Sequence, residues 1–328
     1  MGRPGGWEHV DVPPTRAYGG TVSRDPSNAA GPARVGPAGS ETEGRLPTFL
    51  IIGAMKGGTT SLHHYLRQHP DVYMPERKEL KFFVDRYAGD APVKFLGPCN
   101  WGLGLEWYRQ WFRDAEDARA VGEASPNYTK WPDYPDVPER IAATIPDARL
   151  IYIVRHPIDR MRSHYLHDVA KGRQPLPIDR ALLEDTRYLH ASRYATQIQR
   201  YLEWFDADQL LVITSDDLRH HRERTVARAL RFIGVDDSLM PENLDVEAWV
   251  TGSRRVQTGV TWRVRRLGIV PHLPAAVRAA GKRALTRRAP DAVEPSPEVR
   301  ARLADALSDE VTRLRPYLGP GFDGWGIG

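Results

Sequence analysis

Residues 49–66, FLIIGAMKGGTTSLHHYL, constrain the fold of this chain more than any other stretch. The apolar run Phe49–Ile52 reads as a buried strand. It breaks at Gly53 into a short segment holding a lysine and two more glycines. Leu62, Tyr65, Leu66 and His69 then follow the i, i+3, i+4, i+7 spacing of one helix face. A strand, a tight loop and a helix N-terminus in that order make a phosphate site, because free backbone N–H groups and the helix dipole converge there.

Further short apolar runs at Ala120–Val121, Leu150–Val154 and Leu210–Ile213 also read as buried strands. Helical stripes lie between and after them: Tyr194, Ile198, Tyr201, Leu202 and Phe205, then Val226, Leu230 and Ile233, ended by Gly234. The last helix is punctuated at both ends. Ser296 caps it with Pro297 in the first turn, Leu303, Leu307, Val311, Leu314 and Leu318 form its stripe, and Gly319 stops it. Strands alternating with helices predict an α/β fold, a single domain with a P-loop-like central parallel β-sheet flanked by helices on both faces. Ligands of such folds bind at the carboxyl ends of the strands. Residues 1–45, rich in Gly, Pro, Ala, Ser and Arg without apolar periodicity, read as a disordered tail, and residues 46–328 as the folded domain.

A formal charge of +4 over 328 residues permits an anionic ligand without calling for nucleic acid. Cys99 is the only cysteine, so no intrachain disulfide forms, and the histidines lack the HExxH or similar carboxylate spacing of a metal site. No basic start followed by an apolar run opens the chain, and no stretch reaches the roughly 18–20 apolar residues of a membrane span. The simplest expected location is the cytoplasm.

The lysine decides which phosphate the first loop suits. A Walker A loop, GxxxxGK[ST], sets its lysine directly before the hydroxyl residue. Here Lys56 comes early and Thr59 occupies the lysine's place, so an ATP-hydrolysing loop lacks its central residue. Gly57 and Gly58 still let backbone N–H groups face a ligand, and Thr59, Thr60 and Ser61 add hydroxyl donors. A second anion clamp is expected in IYIVRHPIDRMRSHY, where Arg155 ends a strand and Ser163 rides the following helix. In PERKELKFF, Glu79 and Lys81 alternate onto one face of a short extended run anchored by Phe82 and Phe83.

These three segments resemble the PAPS-dependent sulfotransferases, in particular the branch of the heparan sulfate N- and 3-O-sulfotransferases and their bacterial relatives. The family's KxGTTSL-like loop is matched by Lys56–Leu62, its arginine with a serine eight positions on by Arg155 and Ser163, and its glutamate three residues before Phe-Phe by Glu79. GEASPNY (122–128) and RYATQIQRYLEWF (193–205) are similar to family segments too, so the resemblance runs over roughly residues 47–320. It implies an enzyme that moves a sulfuryl group from PAPS to a hydroxyl or amine of a glycan or small-molecule acceptor, leaving 3′,5′-ADP and needing no metal. Glu79 would take the acceptor proton and Lys56 would stabilise the leaving phosphate. Lys56, Gly57, Gly58, Thr59, Thr60 and Ser61 would hold the 5′-phosphosulfate, and Arg155 and Ser163 the 3′-phosphate. TGSRRVQTG (251–259) matches a loop closing over that phosphate, with Ser253, Arg254 and Arg255 as donors, and Lys78 and Lys81 would meet the acceptor.

Rival residues are set aside on spacing. Glu76 lies three residues before Glu79 and reads as a solvated loop acid; His63 and His64 read as packed or surface helix residues rather than bases. A P-loop kinase or NTPase is the alternative enzyme, disfavoured by the absent GK[ST] lysine. A non-catalytic nucleotide- or polyanion-binding protein is the other alternative, and the presence of both Lys56 and Glu79 argues against it. Residues 248–290 contain no acidic residue and many arginines. This stretch is read as a solvated basic segment, or as one that guides an anionic acceptor or touches an anionic membrane surface.

Overall fold

Strands that are apolar at successive positions need cover on both faces, and the sheet provides it. The computed structural model describes residues 44–85, 99–115, 117–244, 255–257, 286–288 and 293–327. Strands β1 (Phe49–Gly53), β2 (Val72–Tyr73), β3 (Ala120–Ala124), β4 (Arg149–Val154) and β5 (Leu210–Thr214) form one five-stranded sheet in the order β2-β3-β1-β4-β5. All its pairings are parallel. Alternate residues leave opposite faces. Leu50, Ile52, Leu150, Tyr152, Val154 and Val212 enter one core, while Phe49, Ile51, Ile151, Ile153, Leu211 and Ile213 enter the other.

Helices in chain order are α1 (Thr59–Leu66), α2 (Gly104–Arg109), α3 (Val137–Thr144), α4 (Pro157–Ala170), α5 (Ile178–Glu184), α6 (Thr186–His190), α7 (Tyr194–Leu202), α8 (Ser215–His220), α9 (Arg222–Ile233) and α10 (Pro297–Leu318). The first core is closed by Met161 of α4, Ile198 of α7 and the α10 stripe Leu303, Leu307, Val311 and Leu314. The second is closed by Leu62, Tyr65 and Leu66 of α1 and by Val226, Leu230 and Ile233 of α9. An antiparallel pair, β6 (Arg255–Gln257) with β7 (Thr286–Arg288), falls within the basic stretch, and β6 lies against α4.

The expected punctuation is present. Ser296 accepts a hydrogen bond from the Val299 N–H at the start of α10, and Gly319 and Gly234 follow α10 and α9 with positive φ angles of 86° and 85°. One helical expectation fails at its end: α1 stops at Leu66, and His69 lies beyond it. The chain turns there into β2, with the Val72 N–H bonded to the His69 carbonyl and the His69 ring buried against the Asp236 carbonyl at 2.8 Å. With β3, β1 and β4 adjacent, the loops leaving their carboxyl ends meet along one edge of the sheet.

Candidate active site

The loop after β1 is pressed onto its neighbour. The Ala54 N–H bonds to the Ile153 carbonyl of β4 at 2.7 Å, and the Gly57 N–H returns to the Ala54 carbonyl at 2.9 Å. A Cβ on Gly57 would run into the Ile153 carbonyl oxygen, so only glycine permits this approach. Lys56 (φ 71°) and Gly58 (φ 114°) are left-handed, which turns the chain into α1. The Thr59 and Thr60 N–H groups precede the first bond of that helix, which runs from the Ser61 N–H to the Gly58 carbonyl at 3.0 Å, and no acidic residue occupies its first turn. Thr59, Thr60 and Ser61 therefore sit where an anion is favoured by roughly 0.3–1 kcal/mol, more where partly buried.

β4 leads into the expected second pair, Arg155 just past its end and Ser163 on α4. Arg155 leaves the strand half-buried; its carbonyl accepts the Tyr194 hydroxyl at 2.8 Å. Among the described residues its guanidinium has no hydrogen-bond or ion-pair partner. Ser163 is buried on α4, and its Oγ has no hydrogen-bond partner there either. Between them Arg160 is completely buried. It donates from Nε to Ser192 Oγ (2.7 Å) and from its two terminal nitrogens to the carbonyls of Met55 (3.3 Å) and Tyr188 (2.6 Å). Arg160 thus ties the phosphate loop to α4 and α6.

Glu79 and Lys81 do share a face, but not through an extended run. Both are left-handed, with φ 64° and 53°, because Leu80, Phe82 and Phe83 all turn into the core and the chain must curl to keep the charged pair outside. Such a conformation costs a residue with a Cβ about 1–2 kcal/mol. Glu79 carries its carboxylate between two ammonium groups, 3.7 Å from Lys78 Nζ on one oxygen and 3.7 Å from Lys81 Nζ on the other. Its side chain stays 43% exposed, open to an incoming group. Lys78 also donates to Thr59 Oγ1 at 3.1 Å, which links the carboxylate to the phosphate loop. Burial pulls the Lys78 ammonium below its ordinary range, and Glu79 and Glu123 oppose that.

The rivals fall elsewhere. Glu76 is exposed and lines a surface cleft with Tyr73, Arg77 and Trp111 at the β2 edge. His63 is buried with Nε2 3.2 Å from the Pro75 carbonyl, and burial together with nearby Lys78 lowers its pKa to about 4. Ser253 and Arg254 lie outside the described residues, as does most of 262–288; the Arg255 backbone belongs to β6.

Residues 46–248 match the sulfotransferase domain. The chain belongs to the sulfotransferase family. It is similar to the human bifunctional heparan sulfate N-deacetylase/N-sulfotransferase 2, with 28% identity over 208 residues, 58% of this chain and 22% of that protein. It is also similar to the membrane-associated sulfotransferase kil1 of Dictyostelium discoideum, with 34% identity over 123 residues, 37% of this chain and 22% of that one. This sulfotransferase therefore spans about a fifth of the length of these curated relatives. A solved sulfotransferase from Alicyclobacillus acidocaldarius shares its fold over 86% of this chain and 99% of that one, with 27% identity and a TM-score of 0.61. Among the described residues no helix is long and apolar enough to cross a membrane.

Three site residues of this sulfotransferase escaped the sequence reading. Arg160 was hidden in a helix rich in polar residues. Glu123 is a charge inside the buried strand AVGEA, a signal that was there to be used. Lys130, half-buried after β3, has its pKa lowered to about 8 by burial and by the charge of Lys81, with Asp133, Asp168 and Glu79 opposing.

Proposed function

We propose that this sulfotransferase moves a sulfuryl group from PAPS to a hydroxyl or amine acceptor of a glycan or small molecule, leaving 3′,5′-ADP. The observation that carries the reading is Ser163 Oγ, buried and without a partner, on the helix that follows Arg155 and beside the glycine loop. A buried hydroxyl left unbonded costs about 1–3 kcal/mol, which an anionic oxygen from a ligand removes. The site then offers two anion positions, one at the loop and one at Arg155 and Ser163, as a nucleotide with phosphates at both 5′ and 3′ requires. A triphosphate needs only the first. The left-handed Gly58 fits the same ligand by turning the chain so that the N-terminus of α1 follows directly. Relatives named for heparan sulfate N-sulfation support a glycan acceptor.

Within that reading each residue has a task set by charge. Lys56 and the N-terminus of α1 face the 5′-phosphate and stabilise the charge that grows there as the bond to sulfur breaks. Lys78, bonded to Thr59 Oγ1, extends this positive surface toward the acceptor. Glu79, 3.7 Å from both the Lys78 and the Lys81 ammonium nitrogens, accepts the acceptor proton, a contribution of about 10²–10⁴-fold for a well-placed base.

Thermal shift separates the readings. 3′,5′-ADP and PAPS are expected to stabilise the protein and ATP not; stabilisation by ATP alone overturns the proposal. Glu79→Gln is expected to keep 3′,5′-ADP binding while transfer falls by about 10²–10⁴. Wild-type turnover in that variant would move the base elsewhere.

A further inference from the structure

We propose that Glu123 is a positioning residue: through the Ser125 hydroxyl it fixes the backbone of the loop that presents Glu79. The inference rests on the reading of Glu79 as the base, and it starts from an expensive feature of the fold. Glu123 is a carboxylate near the carboxyl end of β3, only 2% exposed. A charge in that position persists only when its oxygens are fully bonded.

Three hydroxyls do this. Tyr108 (3.1 Å) and Tyr128 (2.5 Å) donate to Oε1, and Ser125 (2.7 Å) donates to Oε2. Burial raises the Glu123 pKa, while the three hydroxyls and Lys78 oppose the rise. Each hydroxyl owns one proton, and all three are committed to the carboxylate. The two tyrosines tie Glu123 to the aromatic core around Phe82 and Phe83. Ser125 alone continues outward.

With its proton held by Glu123, Ser125 Oγ presents lone pairs in a fixed direction, and the Lys81 N–H binds there at 3.0 Å. The adjoining Ala124 carbonyl holds the Glu79 N–H at 3.0 Å, and Asn100 Nδ2 holds the Leu80 carbonyl at 2.6 Å. The two anchored amides belong to the left-handed residues Glu79 and Lys81. Backbone in that region relaxes unless its surroundings hold it. The direct chain is therefore Glu123 carboxylate, Ser125 hydroxyl, Lys81 amide, and the Glu79 carboxylate lies on the curl so fixed. Loss of the first link frees the Ser125 hydroxyl to rotate and leaves the Lys81 amide without a defined acceptor.

The test compares Ser125→Ala and Glu123→Gln with Tyr108→Phe, which removes a bond to the same carboxylate away from the path to the loop. Hydrogen exchange of the Glu79 and Lys81 amides is read together with kcat, acceptor KM and 3′,5′-ADP affinity. Ser125→Ala is expected to speed exchange at Lys81 by about tenfold and to lower kcat by about 10- to 100-fold. Its 3′,5′-ADP affinity should stay within about twofold of wild type, since the glycine loop is untouched. Tyr108→Phe should lower the melting temperature while exchange at 79–81 and kcat stay as in wild type. Glu123→Gln, if folded, should follow Ser125→Ala, and the double variant should cost no more than the larger single one. Wild-type exchange and kcat in Ser125→Ala, or an equal loss of kcat in Tyr108→Phe, overturns the proposal. A wild-type protein that neither binds 3′,5′-ADP nor transfers sulfuryl would sink the assigned function instead. Amide exchange, which needs no activity, would still decide whether Glu123 and Ser125 hold the loop.

Discussion

Arg155 follows the end of β4 and Arg160 lies five residues on, in the first turn of α4, and the two end in opposite conditions. Arg160 has no exposure, and each of its three nitrogens is bonded to a protein oxygen. Arg155 is half-buried, and its guanidinium has no partner among the described residues. The same contrast holds between His63, buried and bonded to the Pro75 carbonyl, and Ser163, buried with its Oγ unbonded. Satisfied polar groups build the cradle. In the proposed reading a ligand completes Arg155 and Ser163, since a buried hydroxyl without a partner is costly.

The largest effect that would break this comparison is on stability. Arg160→Met takes the arginine donors from the Met55 and Tyr188 carbonyls and from Ser192 Oγ in the interior, and a loss of about 3–5 kcal/mol is expected from denaturant unfolding. An unchanged midpoint would mean that Arg160 is not structural.

Next in size is a pH effect through His63. Its folded-state pKa is lowered from 6.5 to about 4, so between those values the unfolded chain takes up a proton that the native one refuses. Stability from this group is complete above pH 6.5 and is lost as pH falls toward about 4, up to roughly 3 kcal/mol. Urea midpoints from pH 4 to 7 should show a shallower slope in His63→Gln. The same slope in both proteins removes His63 from the supporting set.

The waiting groups should act on binding and spare the fold. Arg155→Ala is expected to weaken 3′,5′-ADP by about 10- to 100-fold and Ser163→Ala by about fivefold, read by calorimetry. Neither should weaken 5′-AMP appreciably, since it lacks the 3′-phosphate. The ligand-free Ser163→Ala protein should melt no lower than wild type, because the substitution deletes an unbonded buried hydroxyl. Equal losses for both nucleotides would shift Arg155 and Ser163 away from the 3′ position.

Much of the fold was legible in the sequence because its signals are local. The apolar runs found β1, β4 and β5, and the weaker Ala120–Val121 pair found β3 despite the glutamate that follows. β2 escaped because two residues, Val72 and Tyr73, form no run, and β6 and β7 escaped because their residues are mostly polar. The site divides similarly. Lys56, Gly57 and Gly58 were picked out by their order along the chain, and Glu79 by the family resemblance of its segment. The curled backbone at Glu79 and Lys81 was not, since alternation suggested an extended run and the burial of Leu80 imposed another shape.

By itself the sequence determined an α/β alternation with a glycine loop after its first strand, and an arginine at the end of a later strand with a serine on the helix that follows. Periodicity and steric freedom act over a few residues, so no distant partner is needed to read them. Only the tertiary structure decided which charges are held and which are open. Lys78 meets Thr59 across 19 residues, Lys81 meets Ser125 across 44 and Arg160 meets Met55 across 105. A hydrogen bond depends on position within a few tenths of an ångström, and the cost of leaving one unmade depends on burial. Both are properties of the packed molecule, and they separate Arg160, bonded through all three nitrogens, from Arg155, whose guanidinium has no partner among the described residues.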